Sequence, residues 1–453
     1  MNKLQFSAFK LLNMKTLFVI ILVIVSILGC AQKKEVPIGV TFQYETIFRE
    51  GGRGDNWCLT WAAYNSQLTN MCDGNWLGLY HGEPLEFIGR GMYRHLNESG
   101  ADGGDSLVPE FHNRVYRIIG NHDDFVIEDI PDYPEFPSRI WSWFGYGIIS
   151  VDGNIYSALS KTRRHHFSGP FRGIKLLKSS DDGKAWGPVN RDGEVLSMDP
   201  ARARGKAREW DEVTPGEMFF FEEEGITREE ITAWPFGWVD FVQEGRDHSA
   251  SEDNYVYIYS PEGAYAHKLL LARVPKNELG KRDSWEYFVS YGKNNQPEWS
   301  SDLSQRGYVY EFPETNDAGD YFGWYSWLPS VVWNEGLGLY IMVNGGTYGG
   351  RSGDFSASDN DYFNTWMHNQ TGSLGFWYSE KPYGPWHNFF YTEYWVADHP
   401  DELTYQPKLS PKWISEDGKE MVLVWSDAMR DEEGRSHTVN YTWNQMLITI
   451  ETE

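Results

Sequence analysis

Three groups of residues in this chain are of types that do chemistry. Arg163-Arg164-His165-His166 sets four cationic or titratable side chains in a row. On an otherwise acidic chain they would make a local anion site, with His165 or His166 able to move a proton near neutral pH. A solvated basic loop has the same composition. Tyr257 and Arg273 form the second group, on two extended segments joined by Pro261-Glu262-Gly263. In Tyr255-Val256-Tyr257-Ile258-Tyr259 the odd-numbered tyrosines share one face, and Arg273 interrupts the apolar run Leu269-Leu270-Leu271-Ala272-Arg273-Val274. An arginine there is costly to bury unless paired. It either meets an acidic neighbour or points into an opening, where its two prongs can hold a carboxylate. The third group is Gly120-Asn121-His122-Asp123-Asp124, a polar turn that suits a plain surface, a channel mouth or a cation. Neither a GxSxG elbow, an HExxH helix nor a phosphate loop occurs in the sequence.

These residues need a scaffold, and the sequence describes one rich in strands. Aromatics make up 16% of the chain, with 45 Gly and 21 Pro. Short alternating segments end in Gly, Asn, Asp or Pro, as in 146–159, 254–260, 269–274, 330–343 and 421–425. That is the signature of strands joined by tight turns in which Gly or Asn supplies positive φ. A helical window occurs only near 226–234, within an acidic insertion at 191–248. Ser179-Ser180-Asp181-Asp182-Gly183-Lys184-Ala185-Trp186 fits the Asp-box pattern, a hairpin turn tied by its carboxylate, and a looser version recurs at 377–386. Repeated all-β units with one such turn each predict a β-propeller, with seven blades favoured among five to seven. A pair of β-sandwiches is the alternative fold. Residues 50–453 read as one domain.

The first thirty residues have a different character. Lys3, Lys10 and Lys15 precede an apolar run over 17–27, which closes on Leu28-Gly29-Cys30. The run is short for a membrane span, and the pattern predicts a lipoprotein signal peptide over 1–29, with Met14 as a possible start. Cys30 would then carry the lipid, 30–49 would be a tether, and the membrane would be engaged through that anchor only. Ala31 after Cys30 favours the outer membrane, with the face open. Without residues 1–30 the formal charge is 37 − 65 = −28, since 40 Lys and Arg lose three and 65 Asp and Glu lose none. This argues against nucleic-acid binding, which needs a basic footprint. It leaves room for a cationic cleft and an anionic sugar. Cys58 and Cys72, placed symmetrically about Asn65, are open to a disulfide, a metal or two thiols.

Tyr255–Tyr259 with Leu269–Pro275, Asp55-Asn56-Trp57 with Thr60-Trp61 and Asp73-Gly74, and the turn at 179–186 together resemble two related groups. One is the seven-bladed propeller lyases that cleave ulvan, a sulfated uronate-containing algal polysaccharide. The other is the DUF4185 propeller proteins, some of them glycoside hydrolases. The resemblance runs weakly over 50–445, apart from the 191–248 insertion. It implies that a His, a Tyr and an Arg carry the reaction, and Tyr257 and Arg273 match the last two. His165 or His166 matches the first by position, with His122 as the fallback.

A lyase would remove the proton beside a uronate carboxylate. Arg273 would stabilise the developing charge, His165 or His166 would take the proton, and Tyr257 would protonate the leaving oxygen. Arg163, Arg164 and His122 would help to bind the anionic chain. A glycosidase needs two carboxylates instead, with Asp123, Asp124, Asp240 and Asp247 as candidates. A sugar-binding lipoprotein without activity is the third reading. The expectation is therefore a monomeric polysaccharide lyase that requires no cofactor, with a structural calcium or zinc ion left open.

Overall fold

The computed structural model describes residues 35–50, 52–80, 83–89, 92–95, 108–130, 133–134, 136–137, 143–161, 173–196, 219–220, 235–262, 265–313, 321–322, 328–349, 370–400, 402, 404–427, 429–430, 436–437 and 441–453. Cys30, Arg163, Arg164, His165 and His166 lie outside these residues, as does the 226–234 window. Among the described residues the only helices are three-residue 3-10 turns such as Arg246–His248. No described helix is long and apolar enough to cross a membrane.

The strands form five blades, not the seven expected. Strand β1 (Pro37–Phe42) comes first in the chain but belongs to the last blade. The first blade holds β2 (Arg53–Trp61), β3 (Gln67–Asn75), β4 (Phe111–Ile119) and β5 (Val126–Asp129). The second holds β6 (Trp143–Val151), β7 (Asn154–Lys161), β8 (Ile174–Ser179) and β9 (Gly187–Pro188). The third is built on β10 (Asp240–Phe241), β11 (Tyr255–Glu262), β12 (Tyr265–Pro275), β13 (Glu286–Tyr291) and β14 (Pro297–Ser300). The fourth holds β15 (Ser330–Asn334), β16 (Leu339–Gly349), β17 (Gln370–Ser379) and β18 (His387–Thr392). In the fifth, β19 (Tyr405–Ile414) and β20 (Glu420–Ser426) are followed by β21 (Trp443–Thr452), on which β1 pairs, so one sheet joins both ends of the chain. Blade number was overestimated because the connections, such as 76–110 and 189–239, consume chain that the repeat length had assigned to blades.

Burial follows position in the blade. Strand β6, innermost in its sheet, is buried at all nine positions because neighbouring blades cover both of its faces. The outer β5 shows the alternation of a half-covered strand. Innermost strands run the same way: Gln243 and Val332 form a parallel bridge, and Gly147 N donates to Val239 O at 2.9 Å. Gly147 permits this approach, since a Cβ there would lie 2.7 Å from Val239 O. Tryptophans fill the wedge between the fifth and first blades, where Trp76 stacks on Trp443 with centroids 5.2 Å apart and Trp57 Nε1 donates to Ser426 Oγ at 3.1 Å.

The two ends of the blades differ in how the chain turns. Connections 76–110, 162–173, 189–239, 350–369 and 427–442 leave and return at the end where the innermost strands begin. At the other end the turns are short, as at 62–66, 152–153, 335–338 and 415–419.

Candidate active site at the loop-bearing end

The residues that open the innermost strands meet at the loop-bearing end. Asp55 lies near the start of β2, where register shifts and the positive φ of Asn56 (56°) break the ladder. Asn56 Nδ2 donates to Gly145 O of the next blade at 2.8 Å, and Asn70 Nδ2 to Tyr146 O at 2.9 Å. These amide ties lock the first two blades at this end. Strand β3 runs back to the same end and delivers Asp73, and β4 starts there with Glu110 just before it and His112 in its first turn of pleat. His112 Nδ1 is hydrogen-bonded to Asp73 Oδ1, and its ring rests on Phe144 with centroids 4.2 Å apart.

Glu110 has a distinct electrostatic state. Burial, reinforced by the charge of Asp73 and opposed by Arg53, pushes its carboxyl up to about 8. It therefore carries a proton at neutral pH, beside an aspartate bonded to an imidazole. Burial also raises the Tyr146 hydroxyl, with the Cys72 thiol and the Asp55 and Asp73 carboxyls adding to the effect. Cys58 and Cys72 are free thiols, both held protonated by burial. Register explains the absence of a disulfide: Cys72 sits opposite Asp55, and Cys58 opposite Asn70.

Asp240 at the start of β10 meets Lys408 of β19, Nζ to Oδ2 3.2 Å, and Lys408 also donates to Leu328 O at 3.1 Å. Both side chains are buried. Burial pushes the Asp240 carboxyl up while the Lys408 ammonium pulls it back. The pair ties the third blade to the fifth. Among the described residues no group of three or more His, Cys, Asp or Glu is placed to hold a metal ion.

The sequence candidates lie elsewhere or have other partners. Tyr257 and Arg273 are direct neighbours on β11 and β12, as the strand reading anticipated. They sit towards the opposite end of the third blade, however, beside the 245–254 turn. Tyr257 is fully buried and its hydroxyl donates to Asp253. Arg273 donates to Glu286 at 2.8 Å, and its guanidinium lies 4.2 Å from the ring centroids of both Tyr255 and Trp299. Of the two fates foreseen for this arginine, the structure shows the acidic neighbour. His122 belongs to the short turn after β4, where its carbonyl accepts from Gln445 Nε2 at 2.6 Å. Asp124 accepts from Asn121 N at 2.9 Å in that turn, with Asp123 beside it. Asp247 ties a turn, accepting from Ser150 Oγ at 2.7 Å and Gly153 N at 2.8 Å. Of the glycosidase candidates only Asp240 stands at the start of an innermost strand, at the loop-bearing end.

In the sequence Asp55 and Asp73 stand only as parts of a fold motif, and Glu110 and His112 belong to none of its three chemistry-bearing groups. One local signal was available. In Glu110-Phe111-His112 two polar residues flank an aromatic at strand spacing, which puts both on one face.

No protein-family model matches this chain, and no curated protein matches it. Solved structures do. A Bacteroides ovatus protein described as a candidate hydrolase is 12% identical, covering 88% of this chain and 87% of its own, with a TM-score of 0.45. The catalytic domain of a Coprinopsis cinerea GH62 α-L-arabinofuranosidase is 7% identical over 88% of this chain and 91% of its own, TM-score 0.38. A glycosyl hydrolase from Bacteroides ovatus is 10% identical over 92% and 91%, TM-score 0.39. The lyase expectation is corrected: the resemblance that implied it was to seven-bladed propellers, whereas this chain forms five blades, and these three similar structures are described as hydrolases or an arabinofuranosidase, none as a lyase.

Proposed function

We propose that this chain is a glycoside hydrolase acting on a polysaccharide at the loop-bearing end of its five-bladed propeller. The observation that carries this reading is a carboxyl pushed up to about 8, Glu110, with the Asp73 carboxyl beside it and Asp55 opposite Cys72 on the adjoining strand. Glycoside hydrolysis needs a proton donor for the leaving oxygen and a second carboxylate for the anomeric carbon or its attacking water. Environments that push two carboxyls apart assign those roles. Glu110 is the donor and Asp55 the second carboxylate. Asp73, bonded to His112, supports the raised affinity of Glu110 for its proton. The Asp240–Lys408 pair ties the third blade to the fifth at this end, and aromatic side chains would pack against sugar rings.

The test is release of reducing ends from a panel of neutral and uronate-containing polysaccharides, with unsaturated-uronate absorbance recorded in parallel. Reducing ends without that absorbance, lost in Glu110→Gln and in Asp55→Asn, support the reading. Binding without any cleavage would leave a sugar-binding protein, and unsaturated products would defeat the hydrolase.

The N-terminal pattern supports a second proposal, a lipid anchor on Cys30 that holds residues 50–453 at the outer membrane as one domain. Cys30→Ser should abolish lipid labelling and release the protein from the membrane fraction. A labelled, membrane-bound mutant would refute the anchor.

A further inference from the structure

A groove of 590 Å³ crosses the short-turn end of the first blade, remote from the carboxyl cluster, and the proposed reaction makes no use of it. Its volume falls within the range of small-ligand sites. One wall is the 62–66 turn, which lifts Tyr64 to 77% exposure, the largest of any described large hydrophobic side chain. Beside it Asn65, at a positive φ of 64°, accepts from Trp61 Nε1 at 2.9 Å, and this bond fixes its amide with Nδ2 still able to donate. The far wall is the 180–186 turn of the second blade. That turn is rigid: Ser179 Oγ donates to Asp181 Oδ1 at 2.8 Å, Ala185 N donates to the same oxygen at 2.8 Å, and Trp186 Nε1 donates to Gly183 O at 2.8 Å. Arg117 spans the two walls, donating to Ser66 Oγ at 2.9 Å and to Asp182 Oδ1 at 3.1 Å.

Charge restricts what this groove can take. Arg117, Lys184 and Lys412 line it together with Glu128, Asp129 and Asp182, three cations against three anions. Arg117 is engaged by Asp182, and Asp129 accepts both prongs of Arg114 at 2.6 to 3.0 Å. Such an array has little net field to attract an ion, but many fixed donors and acceptors for hydroxyl groups. An exposed tyrosine ring supplies a flat apolar face with a polar edge, as the C–H face of a sugar ring requires. We infer that the groove is a second, non-catalytic site for a neutral sugar chain, with Tyr64 as its platform. It would hold a distant stretch of polymer at the end opposite the reaction. The inference rests on the proposed polysaccharide substrate only for its purpose, since its chemistry is read from the groove.

The test is affinity electrophoresis of the full chain in gels containing soluble arabinoxylan, mixed-linkage β-glucan or polygalacturonate. The Glu110→Gln form serves as parent so that polymer is not consumed. At least one neutral polymer should retard the parent, insensitively to salt, and Tyr64→Ala should weaken that retardation severalfold at unchanged melting temperature. Tyr64→Phe should keep it, since the ring is the platform. Equal retardation of Tyr64→Ala, stronger and salt-sensitive retardation by polygalacturonate, or no retardation of the parent by any neutral polymer would each overturn the inference. The two proposals fail separately. Loss of retardation in Tyr64→Ala with no cleavage by the native chain removes the hydrolase and leaves this site.

Discussion

Two regions of this propeller hold a glutamate whose carboxyl burial pushes up to about 8: half-buried Glu110 near the start of β4, and buried Glu244 just beyond β10. At Glu110 the neighbouring charge comes from Asp73, and the long connections 76–110 and 162–173 return at the same end of the blades. At Glu244 it comes from Asp253, which also accepts from Tyr257, while Arg273 nearby is sandwiched by two rings and paired with Glu286. One protonated carboxyl thus faces the end where chain length allows a substrate site to be built. The other is closed in by a short turn and by its own network. A raised proton affinity marks function only where a ligand can reach it, and elsewhere records the cost of burial.

Four substitutions test that contrast. The largest effect belongs to Glu110→Gln, which should lower kcat on the identified polysaccharide by about 10²–10⁴-fold with the fold intact. Native activity should also fall as pH rises through about 8, where Glu110 loses its proton. A full-rate Glu110→Gln enzyme in a steady-state assay would break the comparison at its functional side.

The corresponding change at the closed cluster, Glu244→Gln, should act on stability instead. Its folded carboxyl is pushed up to about 8 from an ordinary 4.5, so the folded state binds more protons between those values and stability falls as pH rises across that window. Removing the group should flatten that part of the curve, measured as melting temperature against pH, and leave kcat near native. A large kcat loss would bring the third-blade cluster back into the reaction.

Arg273→Ala should cost about 1–2 kcal/mol in denaturant unfolding, through lost ring and ion-pair contacts. Its KM should stay near native, and a selective collapse of kcat at unchanged stability would contradict the structural role. The smallest effect should come from Asp181→Ala, about 1 kcal/mol of turn stability, read as a lowered melting temperature with cleavage unchanged.

Much of the local architecture was legible before any coordinates. The alternation in 255–259 and 269–274 correctly paired Tyr257 with Arg273, because side-chain period and turn chemistry are short-range properties. The same reasoning left Arg273 either an acidic neighbour or an opening to a substrate carboxylate, and Glu286 is the neighbour it meets. It could not tell which end of the blade the pair would occupy. Blade number was missed for a related reason: a long connection carries strands of its own, a small sheet within 79–109 that belongs to none of the five blades.

The amino-acid sequence alone determined the all-β class, the turn positions and the pairing of neighbouring strands, since each depends on residues close in the chain. It also held the apolar run before Cys30, a compositional signal that needs no fold. Tertiary structure decided the rest. Asp73 and Glu110 are separated by the whole 76–110 connection, and Asp240 and Lys408 lie on different blades 168 positions apart. Only closure of the ring brings such groups together, and only burial in the closed ring gives Glu110 its proton. Desolvation and charge coupling depend on distances in space, which chain spacing does not encode.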